Sequence, residues 1–263
     1  MQILPLKTRI LKPNLELGKT LEDAFLTNKC ELKEKDVLVL SSKVVALSEG
    51  RLVDLSTIKP SAKAIKLNRT FYGKGKEDPR VTELILREAD KVFPGKMFLT
   101  LKGGVLIPSA GIDKSNVPDG FVILWPKDSW KSARTIRKQL CKKFKLKKLG
   151  VIICDSRCQP MRWGVIGVAI SWAGIEGVED ARGTKDIFKK PLKVTKKAVA
   201  DNLTSAALVV MGEAAEKVPF VLIKNAPVKF TNKQQSVKDI FIKPGECIFE
   251  GIYNKEVLKN NSK

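Results

Sequence analysis

Apolar positions along this chain switch between a strand-like run and a helix-like spacing, and the switches outline the elements. From Val37 to Val45 the text VLVLSSKVV is apolar and β-branched, which predicts a buried strand breaking at the Ser41–Ser42 pair. Glu49–Gly50–Arg51 then reads as a turn into a second short strand, LVDL. Thr82 to Lys91 reads as a helix: Val81, Leu84, Ile85 and Ala89 fall at helical spacing, and Asp78–Pro79 supplies a start. The stretch MFLTLKGGVLIP predicts two strands around Gly103–Gly104, followed by a small-residue loop with Asp113 at its tip.

A second helix is predicted over Asp128–Lys143, with Ala133, Ile136 and Leu140 on one face. LGVIICDS follows as a hydrophobic strand ending in polar residues, and the glycine-punctuated GVIGVAISWAG reads as a close-packed strand. Between Lys193 and Gly212, Val199, Leu203, Ala206 and Val210 mark a helix that Gly212 stops. PFVLI is one more strand, and the polar tail, residues 255–263, is expected to fray. The order of elements predicts an α+β protein, mixed sheets with packed helices. No repeat or low-complexity linker divides it, so residues 1–263 read as a single unit.

Composition narrows the chemistry. With 43% apolar and 29% charged residues over 263 positions, the chain can bury a full core. The opening MQILPLKTRI has no long apolar run, and nowhere does the text reach the roughly 18 apolar residues of a membrane span. A cytoplasmic protein without a membrane partner is the expectation. Five scattered cysteines argue against a disulfide framework, and Cys154 and Cys158 are expected to be two buried thiols. Histidine is absent altogether, which excludes Ser-His-Asp and Cys-His catalysis and any imidazole metal ligand. Chemistry must rest on carboxylates, hydroxyls, lysines and arginines, and a metal held by them would be a hard cation such as magnesium or manganese.

The formal charge of +21 is compatible with nucleic acid or with anionic small substrates drawn in by the field of the whole protein. Only 10 of the 49 basic residues are arginine, and the densest run, KKFKLKK at 142–148, carries a single aromatic. Both facts weigh against specific nucleic-acid readout. No P-loop is present, because the only GKT, at Gly18–Thr20, has Pro13 where the first glycine belongs.

Two polar segments stand out. In PSAGIDKSNVPDG an aspartate, a serine and an asparagine (Asp113, Ser115, Asn116) lie together, a pattern that fits an Asx-turn or a carboxylate reaching a metal-bound phosphate. Asp155–Ser156–Arg157 follows the strand GVIIC, where strand ends line ligand crevices, although a helix cap would read the same way.

Taken in order, DVLVLSSKVVALSEGR, DPRVTELILRE, AGIDKSNVPDG, GVIICDS with GVAISWAGIEG, and LKVTKKAVADNLTSAALVVMGEA resemble the coenzyme F420-0:L-glutamate ligase family, over residues 4–226. The resemblance implies a family-specific ligase fold in an intertwined homodimer. It also implies GTP-dependent activation of an acceptor carboxylate as an acyl phosphate, which the amine of L-glutamate then attacks. Magnesium or manganese is implied as one or two ions, with potassium as a further cation. Carried over by position, Asp113 and Asp155 are the catalytic, metal-binding aspartates. Ser156 stands where the family has a threonine hydroxyl on a metal, and Glu213 joins the metal ligands. Ser41, Ser42, Asn116, Met211, Gly212, Ala214 and Ala215 match nucleotide-contacting positions.

Departures fall close by. Leu47 replaces a lysine that touches phosphate in many members, and Lys43 is the nearest substitute. Lys189–Lys190 replaces a glycine-arginine pair, and Asn202 replaces an acidic residue. The resemblance makes coenzyme F420-0 the preferred acceptor and GTP the preferred nucleotide, and these departures open folate or another pterin as the alternative acceptor and ATP as the alternative nucleotide. A non-catalytic nucleic-acid-binding relative is the reading of a different class.

Overall fold

The computed structural model describes residues 1–72, 77–93 and 98–249; the tail at 255–263 lies outside the described residues. In chain order the elements are β1 (Gln2–Leu6), α1 (Leu17–Thr27), β2 (Val37–Ser41), α2 (Ser42–Ser48), β3 (Leu52–Asp54), α3 (Ala62–Tyr72), α4 (Pro79–Glu88), β4 (Lys91–Phe93), β5 (Leu99–Lys102), β6 (Val105–Pro108), β7 (Phe121–Ile123), α5 (Ser129–Lys143), β8 (Gly150–Gln159), β9 (Arg162–Ala173), β10 (Glu179–Asp180), β11 (Lys196–Lys197), α6 (Val199–Met211) and β12 (Phe220–Lys224). Mixed sheets with packed helices are thus present, as the pattern predicts. The chain folds as two compact units, residues 1–50 with 126–239 and residues 51–125 with the segment from 240 onward. It passes between them at Gly50–Arg51, Trp125–Pro126 and Asp239–Ile240, and no low-complexity linker marks these points.

A five-stranded sheet in the order β1-β12-β2-β8-β9 forms the first unit's backbone. Strands β2 and β8 run parallel and every other neighbouring pair is antiparallel. Val37, Leu38, Val39 and Leu40 are fully buried, which is why β2 reads as an unbroken apolar run rather than an alternation. Helices α5 and α6 both lie on β8 and β9. The buried face of α6 is Ala200, Leu203, Thr204, Ala207 and Met211, rotated from the predicted stripe, so Val199, Ala206 and Val210 are only half-buried. Close approach to β9 explains the rotation: a Cβ at Gly167 would stand 2.7 Å from the Thr204 carbonyl group, and the small Ala200 and Ala207 suit that contact.

Two expected boundaries move. The strand predicted through Val45 stops at Ser41, whose hydroxyl accepts the Lys43 amide (3.3 Å) as a helix N-cap. Val44 and Val45 are therefore buried on α2, not on a strand. Strand β8 does not end at Asp155 but continues to Gln159, because β9 pairs with it along that length. Asp155 and Ser156 are mid-strand residues of a long hairpin, and the helix-cap reading of Asp155 falls.

The second unit holds the antiparallel pair β3–β7 and the three-stranded β4-β5-β6 sheet, with α3 and α4. Leu55, Val81, Leu84, Ile85, Phe98 and Val122 form its core, and Phe71 meets Phe98 edge-on at 4.9 Å. Helix α4 begins as predicted, with Asp78 Oδ1 accepting the Arg80 amide and Pro79 in the first turn, but it ends at Glu88 and Lys91 opens β4. After β6 the chain makes a left-handed turn in which Ser109, Ala110 and Gly111 have φ of 52°, 54° and 70°. That conformation costs a residue with a Cβ about 1–2 kcal/mol. The buried Thr100 hydroxyl holds it, accepting the Ala110 amide (2.8 Å) and donating to the Ile107 carbonyl (2.6 Å). At Gly111 a Cβ would stand 2.2 Å from the Trp125 indole, so the turn admits no side chain there. Asp113 does not occupy a loop tip: it exchanges two backbone hydrogen bonds with Ile123, at 3.0 and 2.9 Å.

Two measurements check this unit. Thr100→Val leaves the Ala110 amide without its acceptor in a buried setting and should cost about 1–3 kcal/mol in urea unfolding, with Thr100→Ser recovering most of the loss. The Ser61 hydroxyl and amide, together with Arg87, hold the Glu83 carboxyl at about 2, down from 4.5. A carboxyl lowered on folding stabilises fully above pH 4.5 and loses that contribution as the pH falls toward about 2. Glu83→Gln should accordingly lower the urea midpoint at neutral pH, and the deficit should narrow across that acid window.

Candidate functional site

Parallel pairing of β2 with β8 sets Ser41 beside Cys154, so both strands deliver their carboxyl ends to one end of the sheet. Strand β12 starts at that same end, where the Pro219 carbonyl accepts the Ser41 amide (2.9 Å). The loop between α6 and β12 feeds that start, bringing Gly212–Ala215 there as well. Three segments far apart in sequence, Ser41–Lys43, Asp155–Ser156 and Met211–Ala215, thus gather where open sheets with parallel strands bind ligands.

Ser156 links two of them. Its amide donates to Asp155 Oδ1 (2.9 Å) and its hydroxyl donates to Glu213 Oε2 (3.2 Å), so one residue ties the β8 carboxylate to the carboxylate after α6. A register shift between Ile153 and Cys154, where Ile170 is the extra residue on β9, immediately precedes Asp155. Such a bulge re-aims the side chains that follow it. Gly212 ends α6 at φ 71°, and Glu216 folds back beneath it to accept the Ala214 amide (2.8 Å). A Cβ at Gly212 would stand 2.1 Å from the Glu216 carboxyl carbon, so glycine here lets the loop close on itself.

The neighbouring thiol is structural. Cys154 is buried with its Sγ 3.8 Å from Met211 Sδ, and burial pushes the thiol far up, with Asp155 and Glu213 adding to the effect. It stays protonated and packs. Cys158, expected to be buried, is exposed, because β8 runs outward after Cys154. The sequence reading gave no role to Asp201 on α6. Burial raises its carboxyl, while the Ala169 amide (2.9 Å) and Arg157 pull it down. Its place in the first turn of α6 was the available signal.

Asp113 and Asn116 belong to the second unit. The Asp113 carboxylate accepts the Ser115 amide (2.7 Å) and hydroxyl (2.9 Å), an Asx-turn as the spacing allows, and Asn116 follows in the left-handed region at φ 57°. Among the departures, Leu47 is half-buried on α2, its carbonyl accepting the Asn14 amide (2.9 Å). Lys189 has φ 64° in a turn where Asp186 accepts the Phe188 and Lys190 amides, at 2.9 and 2.8 Å. A glycine would meet that backbone requirement without strain. Asn202 lies exposed on α6.

Among the described residues no three Cys, Asp or Glu side chains form a ready metal cage. The linked oxygens of Asp155, Ser156 and Glu213 nevertheless suit a hard cation, which takes one or two carboxylates and draws its other ligands from phosphate and water. No helix of the described residues is long and apolar enough to cross a membrane.

A family model described as F420-0:Gamma-glutamyl ligase matches residues 5–225. Relatives named Coenzyme F420:L-glutamate ligase match as well. That of Methanopyrus kandleri is 38% identical over 84% of both chains. That of Methanococcus maripaludis strain C6 is 38% identical over 95% of this chain and 97% of its own. In Methanocaldococcus jannaschii the identity is 38% over 84% of this chain and 87% of the relative. With this match spanning β1 to β12 and taking in every segment gathered at the sheet end, the chain belongs to the F420-0:gamma-glutamyl ligase family.

Proposed function

We propose that the protein joins L-glutamate to coenzyme F420-0 through an amide bond, using GTP and magnesium or manganese, with an acyl phosphate as the activated acceptor. The relatives' names support the acceptor and the amino acid. The geometric observation that carries the reading is Ser156 bridging Asp155 and Glu213 where Ser41–Lys43 also arrive.

A carboxylate oxygen is a poor leaving group, and the nucleotide corrects this. The acceptor carboxylate attacks the γ-phosphorus of GTP, the bond to GDP breaks, and an acyl phosphate forms. The amine of L-glutamate then attacks the acyl carbon, giving up a proton as the amide forms and inorganic phosphate leaves. Asp155, Ser156 and Glu213 would hold a divalent cation, which when bound offsets the negative charge gathered between phosphate and carboxylate. Asp113 carries the further metal-binding carboxylate of this reading, and potassium is its further cation. Ser41, Ser42, Asn116, Met211, Gly212, Ala214 and Ala215 contact the nucleotide, and the Lys43 ammonium supplies the phosphate charge partner that Leu47 lacks. All three substrates are anionic, so the +21 charge favours their encounter with the protein.

An intertwined homodimer belongs to the same reading. The tip of the β8–β9 hairpin supports it, because Met161 and Trp163 are fully exposed there and Val165 is 43% exposed.

The activity is tested by offering the protein L-glutamate with magnesium or manganese, GTP or ATP, and either coenzyme F420-0 or dihydrofolate. A mass gain of one glutamyl unit on coenzyme F420-0 is expected. Product on dihydrofolate alone would replace the acceptor, and no product in any pairing would overturn the ligase reading. Asp113→Asn, Asp155→Asn and Glu213→Gln should each abolish turnover while leaving the melting temperature close to that of the parent. Ser156→Ala should lower turnover about 10- to 100-fold, as loss of an orienting group at a metal does, and Ser156→Thr should restore it. Light scattering should give twice the mass of one chain; a monomer would remove the dimer from the reading.

A further inference from the structure

We infer that the first unit carries a second anion site, at the end of the sheet opposite Asp155, that takes a small molecule bearing two or more phosphate charges. Strand β8 begins there at Gly150 and β9 finishes there, Val151 pairing with Ala173. A cavity of about 390 Å³ opens between α5, the Leu146–Lys147 turn and the loop at 231–235, with the end of β9 as a wall. That volume is within the range of small-molecule sites, about 300–1,000 Å³.

Its lining includes Arg134, Arg137, Lys138, Lys147 and Lys233, and no aspartate or glutamate. On α5 the residues Arg134, Arg137, Lys138 and Cys141 fall at i, i+3, i+4 and i+7, so the helix turns one continuous stripe toward the cavity. Arg137 is built in: its Nε donates to the Leu149 carbonyl and its Nη2 donates to Asn232 Oδ1, both at 2.8 Å. Gly174, at φ 88°, makes room for it, since a Cβ there would stand 2.3 Å from the Arg137 Nε. Arg134 Nη1 donates to the Gln235 carbonyl (3.4 Å).

Every partner of these two guanidinium groups is neutral, so they are oriented without being neutralised. Among the described residues none of the five cations takes part in a salt bridge. The nearby Glu34 carboxylate is turned to the backbone, accepting the Lys147 and Lys148 amides at 2.9 and 2.7 Å. Cations that line one cavity without a carboxylate among them favour an anion there. Five of them exceed what one carboxylate offsets, and arginine forks match phosphate oxygens, which selects a polyphosphate group.

This site shares no residue with the proposed nucleotide site, so the two stand or fall separately. The test is calorimetric titration of the full chain with inorganic pyrophosphate at low salt, with chelator present to exclude divalent cations. One saturable pyrophosphate per chain is expected, weakened at least about tenfold by Arg134→Gln and by the double variant Lys138→Gln/Lys233→Gln, and unchanged by Lys43→Gln. GDP binding with the same variant pattern would extend the ligand to nucleotides. Absence of saturable binding, indifference to the cavity variants, loss in Lys43→Gln, or equal affinity for citrate would each overturn the proposal. Circular dichroism of the variants, whose Lys138 and Lys233 are exposed, separates loss of charge from loss of fold.

Discussion

The parallel pairing of β2 with β8 is the constraint on which the first unit depends. A parallel pair cannot be closed by a tight turn. The chain therefore travels from residue 41 to residue 150 before it returns, and the second unit is formed largely from that excursion. The same pairing points two carboxyl ends in one direction, and β12, entering antiparallel on the other side of β2, brings the end of α6 to meet them. Burial enforces the register, since slipping β2 by one residue would change the facing of Val37–Leu40 against elements packed to native density.

Backbone and hydroxyl groups hold several of the polar groups at that sheet end. Ser156 gives its amide to one carboxylate and its hydroxyl to another, Ser41 caps α2, and Glu216 closes the loop after Gly212. In the second unit the carboxylate of Asp113 follows three left-handed residues, two of them with side chains, held by a buried threonine hydroxyl. Backbone strain of that kind persists where surrounding structure over-determines it.

The opposite end of the same sheet has the reverse character. Arginines there are oriented by carbonyl and amide oxygens and meet no carboxylate, so the two ends of one unit present oppositely charged chemistry. Part of the +21 charge lines a cavity at that end.

What the sequence determined by itself is local and periodic. Asp78–Pro79 starts α4, Gly103–Gly104 turns β5 into β6, Asp128 starts α5 and Gly212 ends α6, because capping and turn chemistry act over a few residues. The lack of histidine likewise limits the chemistry whatever the fold. The tertiary structure alone decided the rest. Val44 and Val45 are compatible with strand or helix, and packing against the sheet chose helix. Asp155 has the local pattern of a strand end, but β9 pairs past it; Asp113 has the local pattern of a loop tip, but Ile123 lies opposite it. The exposure of Cys158, the rotation of α6 toward Gly167 and the cation-lined cavity on α5 all depend on residues distant in sequence. Short-range patterns record which conformation a segment prefers; which partner it meets is a long-range choice that no local spacing encodes.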